Sequence, residues 1–276
     1  MDRMFMDKQL YKFKKLIEEA ILEDGARGKE SIIRSSSLIN LIHDGVKQEF
    51  IEAGVCADNI YPHLYETKPE LKIAGFLKQK DQDICIVPSN IEPIPTMISW
   101  GPLAFLRKVD LYGEEYSENT LIVNVRSQMS SLAKNMDTLF ERTFAEALNL
   151  HMRYSNIVLG EVYLIPTHEY DDQLVKQKIV GFKKKQTDLE KYISFFNEIN
   201  HRKMGGPDYS YERCALLIVD FNRDQPFLFS NSNQLKEAGL ISKSFNIEYE
   251  ELNFQNFVKD ILEIYSDRYQ IQNLLV

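Results

Sequence analysis

The sequence predicts an α/β protein in which a mixed central sheet is flanked by helices. Three observations carry that expectation. Residues 155–166 (SNIVLGEVYLIP) and 213–221 (RCALLIVDF) are nearly continuous apolar runs, the pattern of strands covered on both faces. Long stretches with an apolar stripe at helical spacing lie around and between them. The order along the chain is two helices, three strands, a long helix, a strand, a further helix, a late strand and a closing helix. Such mixing is what a sheet packed between helices requires. With 276 residues and no internal repeat, the chain is read as one domain, 1–276.

Residues 6–23 carry Leu10, Phe13, Ile17, Ala20 and Ile21 on one stripe, with Gly25 and Gly28 expected to end the helix. A second helix starts at a cap among Ser35, Ser36 and Ser37 and buries Leu38, Leu41, Ile42, Val46, Phe50 and Ile51; Gly54 stops it. Residues 70–77 and 82–87 read as strands with 78–81 as the turn between them. Residues 88–119 contain Pro88, Pro93, Pro95 and Pro102 and are expected to be irregular. Residues 120–126 alternate as a strand, and residues 134–154 read as the longest helix. Helices over 188–199 and 251–269 complete the reading.

Net charge is −8, which weighs against a uniformly basic nucleic-acid-binding surface and leaves room for a local one. Lysine and arginine cluster at Lys72, Lys78 and Lys80, at Arg107 and Lys108, and at Lys183, Lys184 and Lys185. The three cysteines lie far apart without a CxxC pair, which points away from a disulfide framework or a cysteine zinc site. The amino-terminal stretch is charged throughout, unlike a signal peptide, and no apolar run approaches the ~18 residues of a membrane span. A cytoplasmic protein is the expectation. P-loop, GxSxG and GxGxxG signatures are absent from the sequence.

The informative stretch is 120–149. Asn124 and Arg126 share one face of an otherwise apolar strand, where packing alone gives no reason for them. Burying such groups unpaired costs ~2 kcal/mol each. Polar groups at the carboxyl end of a strand in an open sheet mark a candidate site. Asp83 opens the preceding strand, and Glu141 follows on the long helix.

With GFLKQKDQDICIVP and then NVRSQMSSLAKN, the chain resembles the PD-(D/E)XK nuclease superfamily, and within it the type II restriction endonucleases. The resemblance covers about residues 35–166 and implies a restriction-endonuclease-like core; residues 167–276 would complete the sheet and contact DNA or a partner subunit. It implies Asp83 as the family aspartate, with Asn124 and Arg126 where the family has Glu-x-Lys. Asn is a neutral ligand, and Arg stays protonated and cannot act as a base. Some members draw the missing carboxylate from the following helix, which makes Glu141 the first candidate and Glu146 the second. Lys134 stands in for the strand lysine. On this reading Asp83 and Glu141 bind Mg²⁺, Arg126 contacts the scissile phosphate, and Asn124 and Gln128 position a water. Ser127 and Ser130 touch DNA, and bases are read from Trp100, Arg107 and Lys108 and from Arg202 and Lys203. The implied activity is sequence-specific, Mg²⁺-dependent hydrolysis of double-stranded DNA by a homodimer. The alternatives are a catalytically inactive nuclease-fold DNA-binding subunit and an α/β interaction protein without a nucleic-acid role.

Overall fold

The computed structural model describes residues 4–276, so the first three residues of the charged amino-terminal stretch lie outside it. The chain begins with α1 (Met4–Arg34) and α2 (Ser36–Glu52), followed by β1 (Ile60–Tyr61), β2 (Lys72–Ala74), β3 (Gln79–Asp81) and β4 (Ile84–Ile86). Next come β5 (Thr96–Met97), α3 (Pro102–Phe105), β6 (Val109–Asp110), α4 (Glu114–Glu118), β7 (Leu121–Ser127) and α5 (Leu132–His151). The remainder is β8 (Val158–Pro166), β9 (His168–Tyr170), α6 (Asp172–Lys176), β10 (Phe182–Gln186), α7 (Leu189–Ile199), β11 (Arg213–Asp220), β12 (Phe227–Leu228), α8 (Ser232–Glu237) and α9 (Phe254–Arg268).

Six strands form one mixed sheet in the order β1-β4-β7-β8-β11-β12. β7, β8 and β11 run parallel, while β4 and β12 are antiparallel to their neighbours. Helix α5 makes the crossover from β7 to β8, as a parallel pair requires. One face of the sheet packs on α1, α2 and α9 through Phe13, Ile42, Phe50, Val123, Val162 and Ile261. The other packs on α5 and α7 through Cys85, Ile122, Leu139, Leu159, Phe196 and Leu216. The α/β class and the helix-flanked mixed sheet expected from the sequence are therefore present. Among the described residues no helix is long and apolar enough to cross a membrane.

Glycine sets two of the close contacts. Gly25 adopts φ +57° and breaks α1, but the chain resumes its helix to Arg34 rather than ending there. At Gly160 a Cβ would stand 2.7 Å from Phe257 and 2.8 Å from Ile261, so its absence lets α9 lie directly on β8.

The expected hairpin around 78–81 is displaced. Residues 79–81 are themselves a strand, paired Lys72↔Asp81, Ile73↔Lys80 and Ala74↔Gln79, and β4 leaves to join the central sheet. The cause is distant in sequence: Asn149 on α5 accepts from the Leu77 N–H at 2.8 Å and the Lys78 N–H at 3.2 Å, which fixes the turn earlier. The irregular 88–119 segment contains the short β5–β6 pair and the one-turn helices α3 and α4.

Candidate active site

Three oxygen-bearing side chains lie in one row across the sheet. Ile84 pairs with Val123, so Asp83, one residue earlier, falls beside Asn124. Asn124 in turn pairs with Glu161 on β8. Each stands two residues along its strand from a member of the α5-side core (Cys85, Ile122 and Leu159 respectively), so all three share that face and point toward α5. The Val125 N–H donates to Asp83 Oδ2 at 2.9 Å, which ties the aspartate to the edge of β7.

Arg126, two residues beyond Asn124, folds back over this row. Its guanidinium pairs with Glu146 on α5, its Nε stands 3.2 Å from Glu161 Oε1, and its Nη1 donates to Thr143 Oγ1 at 3.4 Å. Lys80 of β3 donates to Glu146 Oε1 at 2.6 Å. Thus three carboxylates, two cations and one amide meet where the neighbouring positions are apolar.

The row is not fully satisfied. Asn124 is 1% exposed and Glu161 0%, yet Asn124 Oδ1 and both carboxylate oxygens of Glu161 lack an aligned hydrogen bond. An unsatisfied buried polar group costs about 1–3 kcal/mol, so its retention needs a reason other than packing. Burial pushes the Glu161 pKa up to about 8; Arg126 opposes the shift, and Glu146 and Asp83 add to it. Burial also raises Asp83, against the Val125 N–H and the charges of Lys80 and Arg126. Two neighbouring carboxyls displaced toward neutral pH are a common mark of a reaction site.

Beside the row a cleft of about 720 Å³ opens between the α1–α2 elbow, the end of β7 and one face of α5. Arg34, Ser35, Ser36, Arg126, Gln128 and Arg142 are among its lining residues. β4 reaches only to the position opposite Val123, so beyond it β7 pairs with β8 alone, and Arg126 and Ser127 at its end line this space. Ser35 caps α2, accepting from the Ser37 N–H at 3.3 Å, and the first turn of α2 has no acidic residue. The positive end of that helix therefore adds to three arginines. The lining sets three arginines against one carboxylate, Glu146, so in a chain of net charge −8 the cleft has a local excess of positive charge.

The expected site residues distribute as follows. Asp83, Asn124 and Arg126 come together. Gln128 and Ser127 line the cleft, with Gln128 Oε1 accepting from the Tyr163 hydroxyl at 2.9 Å. Ser130 is half-buried in the turn that follows. Glu141 does not join the cluster. It is exposed on α5, and five residues place it about 140° around the helix from Glu146, the carboxylate that does. Lys134 is likewise exposed in the first turn of α5, and the lysine of the cluster is Lys80. Arg202 is buried, its guanidinium donating to Glu212 Oε1 and Asp208 Oδ1 at 3.1 Å each and to the Ser155 and Pro207 carbonyls. It holds the loop before β11 and is not free to read a base. Lys203 beside it is exposed. Trp100 is stacked under Arg153, 4.6 Å from ring to guanidinium, and with the exposed Arg107 and Lys108 belongs to the segment around β5 and β6, outside the cleft lining.

Glu161 is the residue that sequence reasoning missed. Its signal was present: one carboxylate in the middle of SNIVLGEVYLIP, an otherwise apolar run. Among the described residues no three His, Cys, Asp or Glu side chains gather as a metal-binding group. The donors of the row are two carboxylates and one amide. No protein-family model, curated protein or solved structure matches the chain.

Proposed function

We propose that this protein is a Mg²⁺-dependent DNA endonuclease of the restriction type whose active site is the Asp83–Asn124–Glu161 row. The observation that carries the reading is the unsatisfied oxygen row beside a cationic cleft. The succession α2, β4, β7, α5, β8, with β4 antiparallel and β8 parallel to β7, supports the restriction-endonuclease-like core implied by the sequence. On this reading the carboxylate absent at Asn124 is supplied by the adjacent strand, from Glu161, rather than by the helix.

The donor set suits Mg²⁺, which takes hard oxygen ligands and needs only one or two carboxylates beside water and phosphate. Asp83 and Glu161 would hold it, with Asn124 Oδ1 as the neutral third donor. When bound, the ion lowers the pKa of a water and offsets charge on the phosphate. Arg126, already at the cleft wall, donates to phosphate oxygens as negative charge builds there. Glu146 holds Arg126 and Lys80 in place from α5. Lys80 Nζ adds positive charge beside Asp83 and Glu146. Arg34, Arg142 and the start of α2 position the flanking backbone. A homodimer presenting two such clefts would cut both strands of a two-fold symmetric site.

A second reading has one specific observation in its favour. Arg126 is engaged by Glu146 and Glu161 at once, an arrangement that also suits a nuclease-fold subunit that binds DNA without cutting it. Incubation of the protein with unmethylated DNA, with Mg²⁺ and with EDTA, separates the two. Discrete Mg²⁺-dependent fragments are expected; salt-sensitive binding with no product would establish the second reading instead.

A further inference from the structure

A second groove, of about 330 Å³, lies on the other side of the start of α5. It is lined by Leu132, Ala133 and Met136 of α5, by Lys183 and Lys185 of β10, and by Lys191 and Tyr192 of α7, among others. The strand β10 is bulged. Phe182 pairs with Tyr170 and Gln186 with His168, so four steps along β10 match two along β9. The bulge breaks the in–out alternation. Lys183 turns inward and pairs with Glu169 and Asp172, at 3.0 Å each, while Lys184 and Lys185 both remain exposed.

The charge arrangement has no stabilising account. Lys184, Lys185 and Lys191 make no ion pair among the described residues. Lys134 and Lys191 sit in the first turns of α5 and α7, where a helix favours anions and a cation is unfavourable. The first turn of α5 has no acidic residue, and its one acidic partner there, Glu169, accepts from the Leu132 N–H and is shared with Lys183. On α7, Asp188 is used as the cap and Glu190 turns away to the Ser242 N–H. Lys185 and Lys191 line the groove beside the carboxylates Glu169 and Asp188, both already used by helix starts, and Lys184 stands exposed next to them on β10, so three lysines here are left without an ion pair among the described residues.

A buried hydrogen-bonded wall separates the groove from the cleft. Gln128, on the cleft wall, accepts from the hydroxyls of both Tyr163 and Tyr192, at 2.9 and 3.4 Å, and Tyr192 lines the groove. We infer that Lys184, Lys185 and Lys191 form a second phosphate-binding surface, which grips the DNA backbone flanking the segment held in the cleft. The inference rests on the nucleic-acid reading above. It assigns the β9–β10 hairpin to affinity rather than chemistry: backbone contacts position a duplex and carry no sequence information.

The test is binding of a labelled duplex in EDTA, read by fluorescence anisotropy across a salt titration. The wild-type protein is compared with the triple variant Lys184→Ala, Lys185→Ala and Lys191→Ala. All three side chains are exposed, and a circular dichroism melt checks that the variant folds. Losing three phosphate contacts lowers the slope of log affinity against log salt by about 2.7 and weakens binding by roughly 10²-fold at low salt. Unchanged slope and affinity in the folded variant would overturn the inference while leaving the cleft reading intact. No binding of the duplex by the wild type would overturn both. Binding of phosphatidylserine vesicles in its place would assign the lysines to a membrane surface and reject the DNA contact.

Discussion

Replacing Glu161 by Gln should make the protein more stable, and the size of the gain follows from the burial of its carboxyl. Glu161 is fully enclosed, and its pKa stands at about 8 against an ordinary 4.5. A carboxyl with a raised folded-state value holds its proton more tightly in the folded chain than in the unfolded one. The associated stability is complete below the unfolded value and is lost as pH rises toward the folded one. Between pH 4.5 and about 8 the loss runs at about 1.4 kcal/mol per pH unit. Near neutral pH it amounts to about 3 kcal/mol. The Glu161→Gln protein has no proton to hold and escapes this loss, while Arg126 keeps Glu146 as its partner. Urea unfolding of both proteins at several pH values across that window measures the difference. The two should agree at the acid end and diverge steadily toward the alkaline end, with the variant the more stable. A variant less stable than the wild type at neutral pH, with a parallel pH dependence, would refute the reasoning. It would make Glu161 an ionised structural partner of Arg126 rather than a strained site carboxyl.

Three further outcomes are expected. Mg²⁺ at a hundredfold excess over its dissociation constant should stabilise the wild type by about 2.7 kcal/mol, seen as a raised melting temperature. Asp83→Asn and Glu161→Gln should abolish that rise, whereas Glu141→Gln should keep it; loss of the rise in Glu141→Gln would return the metal to the helix carboxylate. Arg202→Met should cost about 3 kcal/mol in urea unfolding, because it breaks a buried pair with Glu212, and should leave DNA affinity of the folded protein unchanged. A weakened DNA affinity without a stability loss would instead make Arg202 a contact residue.

The fold class was legible because burial imposes periodicity. The runs at 155–166 and 213–221 became β8 and β11, and the stripes on α1 and α2 became part of one core. The displaced hairpin was not legible, since the groups that fix its turn belong to Asn149, more than 70 residues away. At the site, Asp83, Asn124 and Arg126 stood out as polar groups in apolar strands, and register brings them together. That Glu146 rather than Glu141 meets Arg126 was not legible, because one helix presents carboxylates on several sides and the side that meets the arginine depends on how α5 packs. Glu161 was overlooked because a strand covered on both faces was read by its apolar run alone. Arg202 looked available because its partners, Glu212 and Asp208, act through a loop whose path local pattern does not fix.

The most direct measurement is cleavage of unmethylated DNA in Mg²⁺ by the wild type, Asp83→Asn and Glu161→Gln side by side, each first shown to be folded. The row assignment requires discrete fragments from the wild type and a loss of at least 10²-fold in rate for each variant, of the order that removal of a charge-stabilising or metal-holding group produces. Wild-type fragments with full activity in folded Glu161→Gln would contradict the account and place the second carboxylate elsewhere.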